Sequence, residues 1–198
     1  MKRMPLVFIG ASTGGPKALS SVIPRLGEKL AAPVIVVQHM PPKFTRSLAE
    51  RLNQLSDLRV TEAEDREVLI PGHVYIAPGG FHLLIQTAGE KLVTRLSDSP
   101  PVHGVRPSAD VTLRSLAAIG PRAIVAVILT GMGRDGAEGA AKLKKKNGET
   151  YVIAESEETS VVFGMPKAAI ETGKVDEVCA LPHVASAICQ QFARKGAD

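Results

Sequence analysis

Residues 123 to 129, AIVAVIL, are apolar without alternation and run directly into the glycine-rich segment TGMGRDG. A strand with apolar side chains on both faces must be covered on both, which marks a central strand of a parallel sheet. Two further runs have the same character. LVFI at 6–9 exits into GASTGG, and VIVVQ at 34–38 exits into HMPP. Between and beyond these runs lie segments with helical spacing. Parallel strands need crossover connections, so strand–turn–helix repetition implies a right-handed α/β winding.

The remaining elements follow the same rhythm. Lys17 to Leu30 reads as a helix broken near Pro24, and Thr45 to Leu55 as a helix with Phe44, Leu48 and Leu52 on one face. Arg59 to Thr61 and the core of PGHVYIAPGG are short strands. HLLIQTAGEKLVTRL departs from the rhythm: it reads as an antiparallel hairpin turning at Thr87-Ala88-Gly89-Glu90. SDSPPVHGVRP, 97–107, is a proline-bearing loop suited to walling a cleft, followed by a helix from Ala109 to Ala118 that Ser108 is placed to cap. A helix from Gly136 to Lys146, the strand TYVIAE, the helix MPKAAIETG closed by Gly173, the strand VCAL and a helix from Val184 to Ala193 complete the chain. The expectation is an α/β fold: a doubly wound, mostly parallel sheet with helices on both faces and an inserted antiparallel hairpin, built as one domain over residues 1–198.

In such sheets ligands bind beyond the C-terminal strand ends. Ser12, His39 and Asp135 each follow an apolar strand at that edge. A hydroxyl, an imidazole and a carboxylate are what nucleophilic acyl transfer requires: the imidazole takes the hydroxyl proton, and the carboxylate orients the imidazole. The turn GASTG satisfies the G-x-S-x-G nucleophile pattern in its strand–turn–helix setting, although the chain order Ser, His, Asp is not that of ordinary α/β-hydrolases. Each residue also has a plainer use. Ser12 and Asp135 are good N-cap residues, and His39 can close a strand end. His82 is the main rival base; His103 also lies in a loop able to reach the cleft, while His73 falls on the wrong edge and His183 beside Pro182. Asp65, Asp98 and Asp110 are weaker carboxylates because none directly follows a strong strand. Backbone N–H groups of the serine turn or of Gly131-Met132-Gly133 are candidate oxyanion donors. Such chemistry needs no metal and no cofactor.

The competing chemistry is phosphate binding, since residues 10–17 read G-x-x-x-x-G-P-K. Pro16 displaces the lysine by one place relative to a phosphate loop, and no Ser or Thr follows it. Charge does not favour nucleic acid either. Of the formal net charge of +4, much comes from Lys142, Lys144, Lys145 and Lys146 at a helix end, without interleaved aromatics. Cys179 and Cys189 lack metal or disulfide-framework spacing, which suits reduced thiols. No apolar run is long enough to span a bilayer, and MKRMP lacks a signal-peptide core, so a cytoplasmic protein is expected.

Six segments, in order, resemble the catalytic domain of the CheB protein-glutamate methylesterase family: IGASTGGPKAL, VIVVQHMPPKFTRSLAERL, PGHVYIAPGGFHL, PPVHGVRPSADV, ILTGMGRDGAEG and ETSVVFGMPKAAIETG. The resemblance implies Ser12 as nucleophile, His39 as base and Asp135 as its orienting carboxylate. It implies that Thr13 and Met132 line the site, with the Met132 backbone as an oxyanion donor. Gly133 and the loop bearing Arg106 join the cleft, with His82 beside them. The implied reaction is hydrolysis of glutamyl γ-methyl esters on the cytoplasmic helices of chemoreceptors, with deamidation of particular glutamines in some members. Partners are then methylated chemoreceptors, with no nucleic acid and no direct membrane insertion. Family members usually carry an N-terminal receiver domain that inhibits the esterase until phosphorylated. That domain is expected to be absent from this chain, which begins a few residues before the first esterase strand, either as an excised domain or as a free-standing homologue.

Overall fold

The computed structural model describes residues 3–27 and 30–193. Its elements are β1 (Leu6–Ala11), α1 (Gly15–Val22), a 3-10 turn (Ile23–Arg25), β2 (Val34–Gln38), α2 (Phe44–Leu55), β3 (Arg59–Glu62), β4 (His73–Ile76), β5 (His82–Ala88) and β6 (Lys91–Ser97). They continue with α3 (Ala109–Leu116), β7 (Ile124–Ile128), α4 (Ala137–Lys146), β8 (Thr150–Glu155), α5 (Met165–Glu171), β9 (Glu177–Cys179) and α6 (Leu181–Ala193). The helix expected to reach Leu30 ends instead at Val22, with the 3-10 turn closing at Arg25, and Leu26, Gly27 and Leu30 are not helical; residues 28 and 29 lie outside the described residues.

Seven strands form one parallel sheet in the order β3-β4-β2-β1-β7-β8-β9, and β5 and β6 form a separate antiparallel pair. The chain winds outward from β1 through β2, then returns to lay β7 on the other flank of β1. The strand order therefore reverses at β1, and a crevice opens at the C-terminal ends of β2, β1 and β7. Alternate residues of each central strand feed two cores. Val7, Ile9, Val34, Val36, Val125 and Val127 pack with Leu19 of α1, Leu48 of α2 and Val184 of α6. Leu6, Phe8, Ile35, Val37, Ala126 and Ile128 pack with Leu113 of α3, Leu143 of α4, Ala169 of α5 and the hairpin residues Leu83, Ile85 and Leu92. The doubly wound fold with an inserted hairpin is thus observed, and the absence of alternation in β1, β2 and β7 has its cause in two covered faces.

Local departures from the sequence expectation have simple reasons. Phe44 is 59% exposed, and α2 buries Thr45, Leu48, Ala49 and Leu52 instead; the Thr45 hydroxyl donates to Glu62 Oε1 at 2.6 Å and accepts from the Gly79 N–H at 2.9 Å, which draws that side of the helix inward. The hairpin ladder extends through Ala88 paired with Lys91, so the turn is the two-residue Gly89-Glu90 rather than a four-residue one. Gly89, at φ 61°, supplies the left-handed conformation such a tight turn requires. Ser108 precedes α3 but does not cap it with its own side chain; its hydroxyl is engaged elsewhere. His82 is the first residue of β5, not a loop residue.

His73 opens β4 at the sheet edge opposite the crevice. Its Nε2 lies 2.8 Å from Thr61 Oγ1 and its ring stacks on Tyr75 at 4.0 Å. Burial, with the Arg59 cation second, pushes its pKa down to about 4 from 6.5. An unfolded chain takes up this proton near pH 6.5, while the folded one resists it until about pH 4. Folding stability therefore falls as pH drops through that window. Replacing His73 with Gln is expected to flatten the fall, as read from urea midpoints at pH 7, 6, 5 and 4; an unaltered pH slope would contradict this.

Candidate active site

The crevice is built at the ends of three adjacent strands. β1 and β2 are in register with Ala11 opposite Gln38, so Ser12 and His39 occupy the next, neighbouring positions. The ladder closes with the His39 N–H donating to Ala11 O at 3.1 Å. On the other flank the Ser12 N–H donates to Thr130 O at 3.0 Å. The turn between β1 and α1 passes through Gly14 at φ 83°, a conformation that costs a residue with a Cβ and admits glycine freely. Space is short there as well, since a Cβ at Gly14 would lie 2.7 Å from Val161 Cβ.

His39 and Asp135 meet directly, with His39 Nε2 2.7 Å from Asp135 Oδ2. A carboxylate in that position accepts the Nε2 proton, which leaves Nδ1 as the unprotonated, basic nitrogen. Among the described residues, neither His39 Nδ1 nor Ser12 Oγ has a hydrogen-bond partner. These are the two atoms an acyl-transfer site must keep free.

Asp135 does not cap the helix that follows it. Its Oδ1 accepts from the Ser108 hydroxyl at 2.7 Å and the Asp110 N–H at 2.9 Å, and its Oδ2 accepts from the Ala109 N–H at 2.6 Å as well as from His39. It caps α3, from across the crevice. Burial by itself raises the Asp135 pKa, but the bonds from His39, the Asp110 N–H, Ser108 and the Ala109 N–H outweigh it and hold the carboxyl below its ordinary range. Asp110 returns the contact: its Oδ1 accepts from the N–H groups of Gly136 at 3.0 Å and Gly139 at 2.6 Å, capping α4. Each helix thus presents its free N–H groups to a carboxylate carried by the other, where the helix dipole also favours negative charge.

His82, Arg106 and His103 serve as scaffolding. His82 is fully buried; its Nδ1 accepts from the Ser108 N–H at 3.2 Å, and its Nε2 donates to Pro100 O at 3.0 Å. Neither nitrogen is free for proton transfer. Arg106 donates to the carbonyls of Asp98 and Ser99 at 2.6 and 3.0 Å, so it braces its own loop. His103 Nε2 lies 2.8 Å from Asp110 Oδ2. Met132 is 75% exposed at the exit of β7, and Thr13 and Gly133 are exposed beside it. The N–H groups of Thr13 and Met132 have no partner among the described residues.

His103, Asp110 and Asp135 each place one potential ligand atom within 4.8 Å of the others. Distance alone would admit a cation, but the oxygens of Asp135 accept four protein hydrogen bonds and those of Asp110 three. A metal ion would have to displace helix N–H donors, so the donor set fits helix capping, not ligation.

Sequence reasoning missed Gln38, Thr130 and Glu155. Thr130 Oγ1 donates to Thr13 O at 2.9 Å and its N–H donates to the buried Glu155 Oε2 at 2.8 Å. The available signal was a polar residue ending each of two otherwise apolar strands, Gln38 in VIVVQ and Glu155 in TYVIAE.

Fold and site together define a doubly wound α/β protein carrying a hydroxyl, an imidazole and a carboxylate at its topological switch point. A family model described as CheB methylesterase matches residues 7–188, and the chain belongs to that family. The protein-glutamate methylesterase/protein-glutamine glutaminase of Geobacillus kaustophilus is 55% identical over 185 residues, covering 93% of this chain and 53% of that protein. The similarly named protein of Pyrococcus abyssi is 49% identical over 178 residues, 90% of this chain and 48% of its own. The chain therefore spans about half the length of the curated relatives it matches. The crystal structure of the Thermotoga maritima CheB methylesterase catalytic domain aligns with a TM-score of 0.91 at 47% identity, over 96% of this chain and 98% of that one.

Removal of the Asp110 carboxyl frees two buried N–H groups of α4 at once. Asp110→Ala is expected to lower unfolding free energy by roughly 2–4 kcal/mol, because bonds to a charged acceptor are lost and their donors stay buried. Urea denaturation at pH 7 measures this, and an unchanged midpoint would show that the exchange of caps carries no weight.

Proposed function

We propose that this chain is a single catalytic domain, a serine esterase that hydrolyses glutamyl γ-methyl esters on the cytoplasmic helices of chemoreceptors and so acts in the cytoplasm in chemotaxis adaptation. The observation that carries the reading is the 2.7 Å His39–Asp135 pair with Nδ1 left free at the register position next to Ser12. The names of the relatives supply the substrate class.

In this reading His39 Nδ1 takes the proton from Ser12 Oγ as the oxygen attacks the ester carbonyl. Asp135 holds the Nε2 proton and stabilises the imidazolium that forms. Because its four hydrogen bonds keep it ionised, it does so without taking the proton itself. The Ser12 N–H is committed to Thr130 O, so the oxyanion is assigned to the free N–H groups of Thr13 and Met132 and to the α1 N-terminus. His39 then returns the proton to the departing methoxide, releasing methanol. Water, activated by the same nitrogen, cleaves the acyl-serine to glutamate. A glutamine amide enters the same sequence with ammonia as the leaving group, which accounts for the second activity in the relatives' names. The exposed side chains of Met132, Val161, Phe44 and Phe81 follow β7, β8, β2 and β4 at the crevice edge and offer an apolar rim to a helical substrate.

Methanol release from methylated receptor membranes tests the reading. Ser12→Ala is expected to reduce it about a thousandfold or more, with an unchanged circular dichroism spectrum. Retained activity in that variant would refute the proposal.

A further inference from the structure

Gln38 is the last residue of β2, following Val-Ile-Val-Val, and is 2% exposed. Its Nε2 donates to Ser12 O at 2.9 Å and to His39 O at 3.3 Å. Its Oε1 is buried and has no hydrogen-bond partner among the described residues. The amide cannot be turned to relieve this, because Oε1 would then face two carbonyl oxygens and both bonds would be lost. A Cβ at Gly15 would collide with Oε1, so the first residue of α1 must be glycine for Gln38 to remain. A buried acceptor without a donor costs its full desolvation, and an apolar residue of the same length would avoid that cost. The unpaired oxygen therefore offsets much of what the two bonds from Nε2 contribute, and the net gain in stability from a glutamine here is small.

The backbone around it supplies a reason. The β1–β2 ladder ends at the bond from the His39 N–H to Ala11 O, and the Ser12 N–H turns away to Thr130 on the other flank. Among the described residues no backbone bond links Ser12 to His39 beyond that point, and the Gln38 amide is the group hydrogen-bonded to the main chains of both. We infer that Gln38 is a positioning residue, whose NH₂ group fixes the separation of Ser12 and His39 where the sheet stops doing so. The inference rests on the reading of these two residues as nucleophile and base. Small misplacements of reacting groups carry large rate penalties, so the benefit falls on kcat.

Gln38→Met keeps the length of the side chain and removes both the fork and the unpaired oxygen. Measured by methanol release from methylated receptor membranes, kcat is expected to fall about ten- to a hundredfold with KM within about twofold. The melting temperature is expected to stay within about 3 °C, because the two lost bonds and the removed unpaired oxygen nearly offset. Wild-type kcat, a defect confined to KM, or a variant that fails to fold or melts more than about 3 °C lower would each overturn the inference. Ser12→Ala, assayed alongside, separates the two claims. If it is inactive while Gln38→Met is fully active, only the role of Gln38 is lost; if Ser12→Ala is active, the reading of the site falls and the inference with it.

Discussion

The exchange of carboxylates between α3 and α4 is the contact on which the site depends. A helix N-terminus buried at a crevice would strand several N–H groups, and a buried carboxylate without donors would not stay ionised. Aiming the carboxylate of Asp135 at the first N–H groups of α3, and that of Asp110 within α3 at the N–H groups of Gly136 and Gly139, resolves both problems together. His39 occupies the remaining direction on Asp135. The orientation of one imidazole is thereby tied to the packing of two helices, and a shift of either helix moves the ring.

The inserted hairpin belongs to the same construction. His82, at the start of β5, accepts the Ser108 N–H, and the Ser108 hydroxyl donates to Asp135. The Thr112 hydroxyl donates to Leu83 O and the Ile85 N–H donates to Ser115 Oγ, which seats the hairpin along α3. An element that interrupts the alternation of strand and helix thus holds the helix whose N-terminus holds Asp135. On the opposite flank Glu155 and Thr130 play the corresponding part for the serine turn, linking β8 through β7 to Thr13 O.

Much of the fold was legible because its cause is local. Two-sided apolar runs at 6–9, 34–38 and 123–129 require a parallel sheet with both faces covered, and Gly and Pro mark where each run stops. Ser12, His39 and Asp135 could be selected because residue type and position at a strand end are both written in the chain. The roles of Ser108, Asp110 and His82 could not be read in this way. A serine before a helix looks like that helix's cap, yet the Ser108 hydroxyl is drawn to a carboxylate 27 positions away. Phe44 looks like a core residue by spacing, yet the bonds of Thr45 turn it outward.

The amino-acid sequence by itself determined the class of fold, the edge of the sheet at which the candidate site lies and the three residue types that stand there, since periodicity, turn residues and strand ends are properties of short segments. Only the tertiary structure decided which nitrogen of His39 meets Asp135, which helix each aspartate caps, and that Gln38 spans the gap between Ser12 and His39. Those choices arise from hydrogen bonds between segments far apart in the chain, whose donors and acceptors find one another only when the sheet has brought its strand ends together.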